Sequence, residues 1–289
     1  MTITQLQVFV KVVELGSFTK AARVLNMTQP AVSHAISSVE SELGVKLIIR
    51  DKRNGLILTD IGNRILVHFR QILNGVEKVE QEVEMEKGHE VGTIRIGSFP
   101  SASAYFLPKM IKIFNEKYPN IKLVLYEGTL KEVEEWLLSR EIDVGIVFLP
   151  NNEMETVSLT KEKMVVVLRD DHPLCEKEVI TINDLENEPI ILGKGGYEPP
   201  IIDMFKQAGV TLRIAYEVST VPTSLNMVQE GLGLAISAKL VLMNLPPNVK
   251  TKELVPQVWR EIALAVPSLK ESSLAVQLFI EEFQGLFSE

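Results

Sequence analysis

Residues 17–44 read SFTKAARVLNMTQPAVSHAISSVESELG, the pattern of two short helices joined by a tight turn. Leu25 closes the first apolar face, and Asn26 and Met27 turn the chain. Thr28 is placed to cap the second helix by accepting a first-turn amide, and Pro30 stands where a missing N–H costs nothing. Val32, Ile36, Val39 and Leu43 then recur at spacings of four, three and four, an apolar stripe on one helical face. Gly44 supplies the C-terminal stop. The outward positions are Gln29, Ser33, His34, Ser37, Ser38 and Ser41, all small or uncharged. A solvated helix face ordinarily carries Lys and Glu instead. A slim polar face fits a DNA major groove and hydrogen-bonds base edges. Helix-turn-helix is the leading reading.

Toward the N-terminus, residues 4–15 form a helix whose Phe9, with Phe18, packs against Ala21, Ala22 and Leu25. Toward the C-terminus, two β-rich runs, Val45–Ile49 and Leu56–Thr59, flank Asn54-Gly55, a strong hairpin signal. Arg50, Lys52 and Arg53 cluster near that turn. A basic loop alone reads as solvated surface; beside a recognition helix it reads as a wing that holds flanking phosphates. From Asp60 to about Lys87 the pattern is helical, with Ile65, Phe69, Ile72, Val76, Val79 and Val83 in heptad spacing and charged flanks such as EKVEQEVEMEK. About 28 residues at ~1.5 Å each make a rod of roughly 42 Å. A dimerising linker is preferred over a helix lying on its own domain. Gly75 within it is a candidate bend.

After Gly92 the pattern changes to strand-like runs alternating with helices: TIRIGSF, IKLVLYEG, DVGIVFLP, KMVVVLR, EPIILG, RIAYEVS, LGLAIS and REIALAVP. Such alternation implies parallel sheets in an α/β architecture. Ligands in open α/β sheets collect at the C-terminal strand ends. Here those positions carry Ser98, Pro100, Ser101 and Ser103, then Thr129, then Lys194 within GKGG, then Thr220, Thr223 and Ser224. Taken singly, each Ser or Thr is explained as a helix cap. Together they favour a crevice for a small, anionic ligand.

The formal charge of −8 is unevenly spread: residues 1–70 carry +4 and the remainder −12. A basic head on an acidic body suits local phosphate contact. No apolar run is long enough for a membrane span, and the N-terminus lacks the basic leader and cleavage site of a signal peptide. Cys175 is the single cysteine, which excludes an intrachain disulfide and any cysteine-based zinc cluster; a cytoplasmic site of action is expected. The four histidines (34, 68, 89 and 172) lie away from the strand ends. GKGG lacks the spacing and following Ser/Thr of a phosphate loop. Asp143 and Glu127 have no acid/base partner in the sequence. An enzyme with a DNA-binding head and a regulator whose cleft stays empty remain the alternatives.

The run AARVLNMTQPAVSHAISSVESELGVKLIIRDKRNGLILTDIG carries a full-length resemblance to the LysR-type transcriptional regulators. The alanines before the turn, Thr28-Gln29-Pro30, Ser33, Glu40, Leu43-Gly44, Arg50 and Leu58-Thr59 through Gly62 all match. Val39 and Ile48 depart from the usual Leu and Phe. The resemblance implies a multidomain protein: an all-α winged helix-turn-helix at 1–59, a long dimerising linker helix at 60–88, and an α/β periplasmic-binding-protein-like effector domain at 89–289. That domain would have two lobes, about 91–160 with 267–289 and about 161–266, joined by crossover strands near Leu159–Lys163 and Ala263–Pro267. It further implies a non-enzymatic bacterial regulator, a homodimer or homotetramer on double-stranded promoter DNA, contact with RNA polymerase, a small-molecule effector of unknown identity, no cofactor and no metal. Gln29, Pro30 and Ser33, with His34 and Ser37 on the same face, would read bases, and Thr28, Arg50, Lys52 and Arg53 would hold backbone. The effector residues would be Ser98, Pro100, Ser101, Ala102, Thr129, Phe148, Lys194 and Thr220.

Overall fold

A computed structural model describes residues 1–51, 55–88, 90–195, 198–284 and 287, with backbone alone at 50, 51 and 55. Two compact units result, one of residues 1–92 with 138–141 and one of 93–137 with 142–289.

The first unit holds α1 (Ile3–Leu15), α2 (Phe18–Val24), α3 (Gln29–Leu43), the hairpin β1 (Ile48–Asp51) and β2 (Gly55–Leu58), and α4 (Asp60–Glu86). Each helix starts on a hydroxyl cap: Thr2, Ser17, Thr28 and Thr59 accept first-turn amides, and Thr2 completes a capping box with Gln5. Gly16 and Gly44 end α1 and α3 at positive φ, a backbone state without Cβ strain in glycine. Phe9, Val12, Ala21, Val32, Ile36, Val39, Leu47, Leu66 and Phe69 form one core. Phe9 meets Phe69 edge-on at 5.3 Å. Leu43, expected on the buried stripe, is exposed because α3 outruns the core by its last turn.

Glu40 explains how the hairpin is tied down. Its carboxylate, 7% exposed, accepts from the Leu47 and Ile48 amides at 2.9 and 3.2 Å and from Lys46 Nζ at 2.6 Å. Burial pushes its pKa up, but the Lys46 and backbone donors outweigh burial and hold it below 4.5. The Thr59 hydroxyl donates to Lys46 O at 2.8 Å and accepts from Gly62 N at 2.9 Å. A Cβ on Gly62 would sit 2.2 Å from the Leu47 carbonyl oxygen, so only glycine fits where α4 crosses the hairpin. Replacing Glu40 by Ala strands two buried amides. Hydrogen exchange of residues 45–49 should quicken by ~30-fold at neutral pH, about 2 kcal/mol. Because the folded pKa is depressed, that difference is complete above pH 4.5 and shrinks as pH falls through the folded value.

The helix α4 runs unbroken through Gly75. Its heptad pattern divides in two. Ile65 and Phe69 pack into the head's own core, whereas Ile72, Val79 and Val83 are 42%, 62% and 50% exposed. The uncovered seam therefore begins at Ile72, a turn and more later than the spacing alone suggests.

The second unit follows as β3 (Gly92–Ser98), α5 (Pro100–Tyr105), α6 (Leu107–Lys117), β4 (Ile121–Glu127), α7 (Leu130–Leu138), β5 (Val144–Leu149), β6 (Glu155–Arg169), β7 (Val179–Thr181), β8 (Pro189–Gly193), α8 (Glu198–Ala208), β9 (Arg213–Val218), α9 (Val221–Gln229), β10 (Leu234–Ala238), β11 (Val249–Val255), β12 (Trp259–Val266) and α10 (Leu274–Phe283). The sheet order is β4-β3-β5-β12-β6-β10-β8-β9, with β11 between β6 and β7. Pairing is parallel for β3 with β5 and for β10, β8 and β9, as the alternating pattern predicts. The long strand β6 is antiparallel to its neighbours and belongs to both lobes: residues 155–163 pair with β12 and 164–169 with β10 and β11.

Strand β12 corrects the expected second crossover. Residues 261–265 pair with β5, so they already lie in the first lobe's sheet. The chain crosses before Trp259 rather than at Ala263–Pro267, and the lobe boundary at 266/267 moves forward accordingly. Buried apolar character is continuous through REIALAV in either placement, which is why the sequence does not mark the crossing. Phe99, Phe106, Phe114, Phe279 and Phe283 dominate the first lobe's core, and Val166, Leu168, Ile190, Leu192 and Phe205 the second's.

Candidate nucleic-acid interface and effector cavity

With Val32, Ile36 and Val39 buried, the opposite face of α3 is fixed. Gln29, Pro30, His34 and Ser37 are exposed, and Ser33 is half-buried. Thr28 Oγ1 accepts from Ala31 N at 3.3 Å, so its side chain caps the helix. Ser38, read as outward, is half-buried and accepts from Gln5 Nε2 at 3.0 Å; it fastens α1 to α3. No carboxylate or lysine lies among the α3 residues from Gln29 to Val39, so the face offers hydrogen bonds without a charge of its own. Arg50 pairs with Leu56 through its backbone in the hairpin. Lys52, Arg53 and the Asn54 turn position lie outside the described residues.

In the second unit a cavity of about 440 Å³ opens beside the crossover. Pro100, Ser101, Lys194 and Thr220, four of the expected effector residues, line it. The other four are placed elsewhere or behind its wall. Ser98 is fully buried, its hydroxyl donating to Phe99 O at 3.3 Å. Ala102 is packed into the first lobe's core, on the far side of α5 from the opening. Thr129 is spent on α7: its amide and hydroxyl donate to Glu132 Oε2 at 2.7 and 2.8 Å, and these bonds lower the Glu132 pKa. Phe148 packs at a tilt against Phe99, ring centroids 4.8 Å apart, and carries the Arg260 guanidinium over its ring at 4.1 Å.

The sequence reading missed the most consequential pair. Arg260 on β12 lies in register with Glu162 on β6, and it reaches the cavity wall. Its Nε donates to Glu162 Oε1 at 2.5 Å and its Nη2 contacts the same oxygen. Glu162 is 1% exposed. Burial raises its pKa, and the attraction of Arg260 offsets this only in part. Glu162 Oε2 and the Ser101 hydroxyl are buried without a hydrogen-bond partner. A charge embedded in an apolar strand run, as in REIALAV, was the available signal; its partner could be found only from strand register.

Lys194 forms an ion pair with Glu217 at 2.6 Å, which raises the lysine pKa. Thr220 caps α9 and its hydroxyl lies 2.8 Å from that of Thr223. Most of the remaining wall is apolar, including Met164, Val167, Ile191, Leu225 and Ile236. His172 caps a short turn through Nδ1 and sits away from this cavity. The cavity offers binding groups, with no nucleophile beside a base among its described lining residues.

A winged helix-turn-helix head followed by a long helix and a two-lobed α/β unit with an interior cavity defines a ligand-binding class of transcriptional regulator. Residues 3–63 match the bacterial regulatory helix-turn-helix protein, lysR family, and residues 87–288 match the LysR substrate binding domain. The chain belongs to the LysR family of DNA-binding transcriptional regulators, which are not enzymes. It is 61% identical over 99% of both chains to the uncharacterized HTH-type transcriptional regulator YvbU of Bacillus subtilis strain 168. Its fold is similar to that of a cysteine-to-aspartate variant of full-length OxyR from Pseudomonas aeruginosa (TM-score 0.82, 22% identity, 98% and 94% of the two chains). It is also similar to full-length CbnR complexed with its target DNA (TM-score 0.67, 24% identity, 98% and 99%). Among the described residues no helix is long and apolar enough to cross a membrane.

Proposed function

We propose that this LysR-family regulator acts in the bacterial cytoplasm as a homodimer or homotetramer on promoter DNA, engages RNA polymerase there, and responds to a small-molecule effector without a cofactor. The observation that carries the DNA reading is the uncharged exposed face of α3, presented from a rigid three-helix core. Gln29, Pro30 and Ser33 contact base edges, with His34 and Ser37 beside them, while Thr28 and the basic wing of Arg50, Lys52 and Arg53 hold phosphates. CbnR, of the same fold, has been solved on its target DNA, which supports this orientation of roles. For the effector, Pro100, Ser101, Lys194 and Thr220 gather at one cavity, with Arg260 added by the structure.

Footprinting on DNA upstream of the protein's own gene tests the reading. Arg53→Ala should weaken binding to specific and random duplex alike and reduce the salt slope by about one. Gln29→Ala should cost about 1–3 kcal/mol at its preferred base while sparing non-specific binding. If both variants protect the DNA as the parent does, the assignment of this face and wing fails.

A further inference from the structure

Helix α7 is tied at both ends to something other than its own sheet. At its start, Leu130 N donates to Gly195 O at 3.2 Å. Leu130 stands in the first lobe and Gly195 in the glycine-rich loop after β8, so this bond joins the two lobes. At its end the chain leaves through residues 138–141, which pack with the first unit although the residues on either side of them belong to the second. Within that first unit Arg70 of α4 holds them. Its Nη1 donates to Ser139 O at 2.9 Å and its Nη2 to Glu141 Oε2 at 3.1 Å. Arg70 is 5% exposed, the one buried charge among the described residues of α4, and a cation so enclosed depends on its acceptors. Between the two acceptors Arg140 turns the chain at φ +57. That left-handed state costs a non-glycine residue energy, so the turn is held in place by its contacts.

Between these two ties α7 is stiff. Its nine residues at ~1.5 Å each span about 14 Å of hydrogen-bonded helix. Val133 and Leu137 are fully buried, and Gly145 of β5 lets them lie close against the sheet. A Cβ on Gly145 would stand 2.7 Å from Leu137 Cδ1 and 2.9 Å from Val133 Cγ1. Ile142, just past the turn, is seated in the same way on Gly97, whose Cβ would meet Ile142 Cδ1 at 2.3 Å. Packing this close transmits a displacement and does not absorb it.

We propose that α7 is a coupling rod: it passes the position of the Gly195 loop, through the turn at Ser139–Glu141, to Arg70 on the linker helix. The proposal rests on the regulator reading above and names the route by which the second unit's state reaches α4. A shift of the second lobe loads or frees the Leu130 end of the rod. The other end then tightens or loosens its hold on α4 two residues before the uncovered seam begins at Ile72.

Lying between two sites is not coupling; non-additivity is. A double-mutant cycle on the full chain tests it, with affinity for DNA upstream of the protein's own gene read by gel shift. Leu130→Pro deletes the donor to Gly195 yet suits the first position of a helix; Leu130→Ala, which keeps the donor, is its reference. Gly195→Ala displaces the carbonyl from the other lobe, because Gly195 sits at φ +108, where an L side chain is strained. It leaves α7 intact and serves if Leu130→Pro fails to fold. Each is combined with Arg70→Lys, which keeps the charge and loses the planar fork. Distant sites that share no partner combine to within about twofold. Here the effect of each lobe-side substitution should differ by about fivefold or more between the parent and Arg70→Lys. Hydrogen exchange of the free protein is measured in parallel, and the same substitutions should quicken amides 139–142 by about fivefold or more. Additivity within about twofold for both substitutions, or quickened exchange confined to residues 129–133 and 193–195, overturns the coupling. A parent that leaves no footprint on that DNA overturns the regulator reading, and the exchange comparison then decides the coupling by itself.

Discussion

Val79→Glu leaves each chain folded, separates the dimer, and lowers affinity for a two-half-site promoter sequence by about a hundredfold or more. The side chain is 62% exposed in the single chain, so the substitution disturbs little of the chain's own packing. Its neighbours on the same face, Ile72 and Val83, are 42% and 50% exposed. An apolar stripe on a charged rod is stable when a second copy covers it. In an antiparallel or parallel pair of such rods, a glutamate at Val79 would be buried in the seam without a cation, close to the acidic residues Glu77, Glu80 and Glu82 already on α4. The loss of DNA affinity follows because one head alone forgoes the effective concentration that a linked second head enjoys. Sedimentation velocity reads the assembly state, and gel shift on duplexes carrying one or two half-sites reads the coupling. The expected pattern is a monomeric variant that binds both duplexes equally weakly. A variant that still sediments as the parent does would place the dimer contact elsewhere than Ile72–Val83.

The head was legible because its signals are local. Thr28 as a cap, Pro30 in the first helical turn, Gly44 at positive φ and the Val32–Ile36–Val39 stripe all act within one or two turns of the chain. Glu40 and Gly62 matched a family pattern, yet their reasons lie across the hairpin: Glu40 holds the Leu47 and Ile48 amides, and Gly62 must lie against Leu47 O. No spacing rule encodes those contacts. The cavity shows the same division more sharply. Strand ends are marked by local pattern, and Pro100, Ser101, Lys194 and Thr220, which follow them, lie on its wall. Which way each strand end faces depends on helix rotation, and that sent Ser98 and Ala102 into the interior and Thr129 to the α7 cap. Glu162 and Arg260 are ninety-eight positions apart; the β6–β12 register alone makes them a pair.

Glu162→Ala is expected to cost about 3–5 kcal/mol, the largest loss of any single polar truncation in the second unit. Glu162 is 1% exposed and Arg260 7%, so removing the acid takes the hydrogen-bonded carboxylate away from a largely buried cation that lies over Phe148. Glu162→Gln, which preserves shape and an acceptor, should lose less. Replacing both partners with apolar residues, Glu162→Leu with Arg260→Met, should recover most of the loss, because neither charge then has to be desolvated. Exchange protection of the peptides spanning β6 and β12 is the suitable readout, since a two-unit chain need not unfold in one step. The pH dependence gives an independent check on which term dominates. Burial holds the Glu162 pKa above 4.5 in the folded chain. The folded state therefore keeps its proton to higher pH than the unfolded one, and this group's contribution to stability declines as pH rises from 4.5 through the folded value. The parent should show that decline in β6 protection, superimposed on the rest of its titration, and the apolar double variant should lack it. A loss below about 1 kcal/mol in Glu162→Ala would mean that water reaches the guanidinium. The pair would then act as a surface ion pair, and Arg260 would not hold a fixed place on the cavity wall.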